Sequence, residues 1–185
     1  ISFLLNKNSK RKSQTIKIES YINQIMEIKD KEYLFSKEFP YWLIYRDNFF
    51  DEISQKLNFD IFKSFRDRQL TKKITKNKGK YRVLKSRNIG NNEILDIDGY
   101  DQYIDKPNNF AVGKYLNEDN VVMVPNLTYY PRASFLPGNT IADGSVALLT
   151  LKNGSRLPTE KDIEFYGSKE FEKFYRVARN YGTRS

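Results

Sequence analysis

The sequence predicts an α+β fold: a twisted mixed or barrel-like β-region, with N-terminal helices before it and a C-terminal helix pair after it. Three observations predict it. Apolar residues recur at helical three-and-four spacing near the two ends of the chain, short β-prone runs fill the middle, and turn dipeptides punctuate those runs. At 185 residues the chain is sized for one ordinary core with accessory helices.

The elements follow in order. Between Ser13 and Phe35, Ile18, Ile22, Ile25, Met26 and Ile28 alternate with charges at the spacing of one long amphipathic helix. Pro40 ends that pattern, and Asp47–Leu57 (DNFFDEISQKL) reads as a second, shorter helix with Asp47 or Asn48 as its N-cap. From Phe59 the texture changes to FDIFKSF, KYRVLKS, EILDI, NVVMVP, LTYYP and SVALLTLK, separated by Gly, Asn and Pro. Pro137-Gly138, Asp143-Gly144 and Asn153-Gly154 are turn dipeptides. Thr159 and Asp162 form a capping box, and Ser168 caps a last helix with an apolar face of Phe171, Phe174, Tyr175 and Ala178. Residues 1–57 are therefore expected to be a helical linker or lever towards a further N-terminal domain, and residues 58–185 the principal domain.

Composition narrows the function classes. Thirteen Phe, thirteen Tyr and one Trp supply enough large apolar area to build a core despite a mean hydropathy of −0.69. Cys and His are both absent, which removes zinc fingers, thiol or imidazole catalysis and disulfides. No apolar run reaches the roughly 20 residues of a membrane span, and the apolar start precedes its charges, the reverse of a signal peptide. The first residue is Ile, so the sequence reads as a piece of a longer polypeptide.

Charge is one-sided. Residues 1–90 carry 21 Lys/Arg against 10 Asp/Glu, and residues 91–185 carry 11 against 13. From Lys63 to Arg87 there are eleven basic residues and one acid, Asp67, interleaved with Phe62, Phe65, Tyr81 and Val83. Such a density attracts polyanions, and its aromatic interleaving separates it from a merely solubilising tract.

Catalytic signatures are missing. There is no G-x-G-x-x-G fingerprint, no P-loop and no Asn/Asp-Pro-Pro-aromatic tetrapeptide, so no catalytic residue is assigned. Asp96, Asp98, Asp101 and Asp105 lack the Gly register of a calcium loop and read as a solvated strand edge; no metal is expected. Glu27-Ile28-Lys29 lacks an upstream Asp that would complete a nuclease metal site.

Binding chemistry remains. Lys is a point charge for phosphate, whereas Arg bonds guanine O6 and N7 in parallel and Asn does the same for adenine. Lys63, Arg66, Arg68, Lys72, Lys73, Lys76, Lys78 and Lys80 are the candidate phosphate contacts. Arg82, Lys85, Arg87 and Asn88, on or just beyond a predicted strand, are candidates for base readout, together with Asn126, Tyr129, Tyr130 and Arg132. Strand alternation would put Lys85 and Arg87 on one face and Arg82 and Asn88 on the other, and either face could be the exposed one. Arg87 could equally form an ion pair with one of the acids at 96–105. Tyr129 and Tyr130 would point to opposite faces, placing one in the core.

FRDRQLTKK (65–73), RVLKSRNIGNN (82–92), DGYDQYI (98–104), VPNLTYYPRASFLP (124–137), IADGSVALLTLKNG (141–154) and EFEKFYRVARNYGTRS (170–185) occur in this order. From about Tyr41 onwards the chain resembles the C-terminal region of type II adenine-N6 DNA methyltransferases, nearest to those of type IIS restriction-modification systems. The resemblance implies a target recognition domain like the TaqI specificity domain and the halves of type I specificity subunits. It also implies double-stranded DNA as partner and a bacterial cytoplasmic setting. An N-terminal catalytic domain of the same polypeptide would bind S-adenosylmethionine, flip the adenine and methylate it. An RNA-binding module, or the specificity domain of a fused restriction endonuclease-methyltransferase, are the alternatives.

Overall fold

β-branched residues decide the first element. Ile16 and Ile18 alternate with Thr15, Lys17 and Glu19, and in the computed structural model Thr15–Ser20 (β1) pairs antiparallel with Ile25–Asp30 (β2). The structure describes residues 14–21, 24–39 and 41–182. A hairpin thus replaces the long helix expected over residues 13–35. The apolar spacing there satisfies both periods, and Ile18 is buried while Met26 and Ile28 are 73% and 70% exposed, so no single helical face is covered. Ile22 lies outside the described residues.

A short helix, Lys31–Leu34 (α1), follows, and then Asn48–Ser54 (α2). Of the two candidate caps Asp47 is the one used: its carboxylate accepts the Phe50 N–H at 2.8 Å. Helix α2 turns Phe50 and Ile53 inward.

Seven short strands form two open sheets. Phe62–Phe65 (β3), Val122–Pro125 (β6), Ser134–Phe135 (β7) and Val146–Leu151 (β9) make an antiparallel sheet in the order β3-β9-β6-β7. Tyr81–Leu84 (β4), Gln102–Ile104 (β5) and Thr140–Ala142 (β8) make a mixed sheet, with β4 central, antiparallel to β5 and parallel to β8. Two expected strands do not form. Of EILDI only Ile94 makes a β-bridge, to Ile89, and LTYYP runs through bends.

Leu70, Val83, Leu84, Ile104, Met123, Ile141 and Leu148, drawn from both sheets and the loops between them, share one buried core. The register Val122↔Leu149 and Met123↔Leu148 explains how β6 serves two layers: Met123 and Leu148 face that core. Val122 and Leu149 face a third element on the other side, the helix Glu160–Tyr166 (α3), through Ile163 and Tyr166. The last helix, Lys169–Ala178 (α4), packs Phe174 and Val177 against Leu43, Phe50 and Ile53. Residues on both sides of the expected boundary at 57/58 therefore share a second core.

Both caps of the C-terminal pair form as the sequence predicts: Thr159 and Asp162 bond reciprocally, and Ser168 accepts the Phe171 N–H. Arg156 also bonds the Asp162 carboxylate at 2.8 and 3.0 Å. This guanidinium, with the Thr159 N–H and hydroxyl, holds the carboxyl at about 2, below its ordinary 3.8. A depressed folded-state pKa contributes stability that is present above the unfolded value and lost as pH falls through the folded one. The thermal midpoint of the wild type should therefore exceed that of Asp162→Asn above pH 4, with the gap narrowing towards pH 2. A gap that stays constant from pH 6 to 2 would exclude this carboxylate as its source.

Candidate nucleic-acid interface

The basic run sorts into residues spent on the fold and residues left at the surface. Asp67, its one acid, is buried: Oδ1 accepts the Gln69 and Leu70 N–H groups and Oδ2 accepts that of Val112. These bonds start the 3-10 turn Leu70–Lys72 and leave Lys72 and Lys73 exposed while Leu70 plugs the core. Arg66 does not fit its expected phosphate role: Nε and Nη2 both donate to the Gly144 carbonyl, at 3.1 and 2.8 Å. It clamps the end of β3 to the β8–β9 turn. Close approach requires the glycine there, because a Cβ on Gly144 would lie 2.6 Å from the Asp67 carbonyl oxygen.

Lys63, Arg68, Lys76, Lys78 and Lys80 are exposed as well. The segment that carries Lys76, Lys78 and Lys80 is tied at two points: Thr75 and Tyr103 exchange backbone hydrogen bonds at 3.0 and 2.8 Å, and the Lys80 N–H donates to Asp105. The lysines between these ties consequently form a strip along the β5 edge of the mixed sheet.

Beyond β4 the extended backbone stops. Ser86–Asn88 is a 3-10 turn, so strand alternation governs only residues 81–84. Asn88 is fully buried, contrary to its expected role at a base edge. Its Oδ1 accepts the Lys85 N–H at 3.0 Å, and its Nδ2 donates to the Leu95 carbonyl at 3.0 Å and Asp101 at 2.8 Å. Arg82 is likewise committed, to Asp96 at 2.5 Å, Asp101 at 2.8 Å and the Leu95 carbonyl. The ion pair entertained for Arg87 therefore falls to Arg82, and a guanidinium held by two carboxylates does not read bases as it stands. Among the described residues no group of three or more acids or other ligating side chains is placed to hold a metal.

Arg87 is the exposed residue of the turn and makes no ion pair among the described residues. Its guanidinium carbon lies 4.9 Å from the centroid of the Tyr100 ring. Lys85, half-buried, sits over the same ring at 3.7 Å and donates to Gln102 Oε1 at 2.9 Å. Burial pushes the Lys85 ammonium pKa down; Asp143 and Asp101 oppose that shift, and the weaker influences of Lys76 and Arg87 add to it. The turn beneath is locked, since Ser86 donates its N–H to Ser145 Oγ and its hydroxyl to the Ser145 carbonyl.

The second predicted segment is brought to the same turn by Arg132. Its Nε donates to the Ile89 carbonyl at 2.7 Å, Nη2 to that of Ser86 at 3.2 Å and Nη1 to Thr128 Oγ1 at 2.9 Å. Burial lowers its pKa. Arg132 is therefore a staple, not the base-reading group expected. Asn126, half-buried, donates its N–H to the Ser145 carbonyl. Tyr129 and Tyr130 are 65% and 54% exposed, so neither enters the core. The stretch is bent around Thr128, whose hydroxyl donates to the Tyr130 carbonyl, and alternation does not apply to a bend.

Tyr100 and Gln102 complete the arrangement and were not among the candidates. Their signal lies in DGYDQYI, where Tyr100 closes the turn that leads into the short strand β5 and Gln102 opens that strand. No protein-family model matches this chain, and no curated protein is similar enough to match. Among the described residues no helix is long and apolar enough to cross a membrane.

Proposed function

We propose that this chain is the sequence-specific DNA recognition module of a site-specific adenine-N6 DNA methyltransferase of a restriction-modification system, with a partly barrel-like target recognition fold of the TaqI type. The observation that carries the reading is the pairing of an exposed Arg87, on a turn locked by buried polar groups, with a strip of exposed lysines on the adjoining sheet edge. Lys72, Lys73, Lys76, Lys78 and Lys80, with Lys63 and Arg68, meet phosphates and fix register. Arg87 and Lys85 present donors to base edges in the major groove, and Tyr129 and Tyr130 offer ring faces beside them. Methyl transfer from S-adenosylmethionine belongs to an N-terminal catalytic domain of the same polypeptide, since this sequence carries neither the Asn-Pro-Pro-aromatic motif nor a Gly-rich cradle.

The test is duplex binding across a salt series. With about six phosphates neutralised, affinity for random 20-bp duplex should fall about 10³-fold between 50 and 200 mM salt. Binding that is undetectable at 50 mM, for this chain and for a polypeptide that includes the catalytic domain, would overturn the proposal. A preference for single-stranded RNA over duplex DNA would favour the RNA-binding alternative.

A further inference from the structure

We infer that Tyr100 is the positioning residue of this site, holding Arg87 and Lys85 as a paired set of donors for the acceptor-rich edge of a guanine; the inference rests on the DNA reading above. Two cations converge on one ring, the Lys85 ammonium at 3.7 Å and the Arg87 guanidinium at 4.9 Å. Like charges that close repel, and the negative face of an aromatic ring is what draws both to one place. Gln102 Oε1 takes one proton of the Lys85 ammonium and sets its direction.

A guanidinium gains specificity only when its fork is aimed, because a mobile Arg distributes its donors among phosphates and bases alike. Arg87 lacks the carboxylates and carbonyls that fix Arg66, Arg82 and Arg132. Its aim therefore comes from the ring. Guanine is the base whose major-groove edge presents two acceptors, O6 and N7, and no donor, which matches a guanidinium beside an ammonium.

The experiment compares the wild-type chain with Tyr100→Phe, which keeps the ring, and Tyr100→Leu, which removes it. The first readout needs no DNA: ¹⁵N relaxation of the Arg87 Nε–H group in the free chain. Order should persist in Tyr100→Phe and drop in Tyr100→Leu, with the urea midpoint of each variant confirming that it is folded. The second readout is selection from a random duplex library. The wild type and Tyr100→Phe should enrich a guanine position that Arg87→Ala loses, and Tyr100→Leu should weaken that preference about tenfold while the salt slope on random duplex stays the same. Unchanged Arg87 order in Tyr100→Leu, or an undiminished guanine preference, overturns the role of Tyr100. Failure of the wild-type sequence to bind duplex, both as this chain and in a polypeptide that includes the catalytic domain, overturns the DNA reading instead.

Discussion

Replacing Phe50 with Ala is expected to lower folding stability by about 3 to 5 kcal/mol, a large share of the roughly 5 to 15 kcal/mol that holds a typical domain folded. Phe50 is 1% exposed and stacks on Phe174 with centroids 4.6 Å apart and planes 9° apart, while Phe39 meets its edge at 5.2 Å. Removing the ring strips contacts from α2, α4 and the loop before α2 at once. Neighbours anchored in three separate segments cannot all collapse into one void. Asn180 fastens the same unit, accepting the Ile44 N–H at 2.8 Å and donating to the Trp42 carbonyl at 2.7 Å. Trp42, the sole tryptophan, reports on this region by fluorescence, and far-UV circular dichroism reports on the whole chain. Both urea transitions should shift together if the helical and sheet cores unfold as one. A midpoint change equivalent to less than about 1 kcal/mol would contradict the burial argument.

Local signals were the legible part of the fold. Helices α2, α3 and α4 carry caps within three residues of the groups they satisfy, so Asp47, the Thr159–Asp162 pair and Ser168 could be read from the chain itself. Strands β3, β4, β6 and β9 were legible as apolar runs. Strands β5, β7 and β8, of two or three residues, are too short to show a period and exist because partners distant in sequence hold them. The hairpin at residues 15–30 failed for the opposite reason, since its pattern fits two periods and pairing chose between them.

The same division explains the site. Exposure of the lysines followed from their density, but which arginine remains available depended on acceptors far along the chain. Gly144 takes Arg66, Asp96 and Asp101 take Arg82, and Ile89 and Ser86 take Arg132. No spacing rule encodes those pairings. Arg87 is distinguished by what its neighbours already hold.

Asn88 and Arg87 should therefore give opposite results although they are adjacent. Asn88→Ala is expected to cost about 3 to 4 kcal/mol of stability, because it removes three hydrogen bonds at a site with no solvent to replace them. The Lys85 N–H and the Leu95 carbonyl each lose a partner, and the Asp101 carboxylate keeps only Arg82. Arg87→Ala should change stability by no more than about 0.5 kcal/mol, since the side chain is exposed and its one ring contact is shared with Lys85. On DNA the order reverses. Arg87→Ala should cost about 1 to 3 kcal/mol of discrimination at one base pair and leave binding to random duplex nearly intact. Asn88→Ala, assayed where it is still folded, should affect binding through the Lys85–Arg87 turn it supports and thus alongside its loss of stability. Urea unfolding of both variants, paired with competition between selected and random duplexes, separates the two roles. An Asn88→Ala variant as stable as the wild type would show that the buried network is dispensable. Uniform weakening of Arg87→Ala on every duplex would make Arg87 a phosphate contact and move specificity to Lys85, Gln102 or the tyrosines of the neighbouring bend.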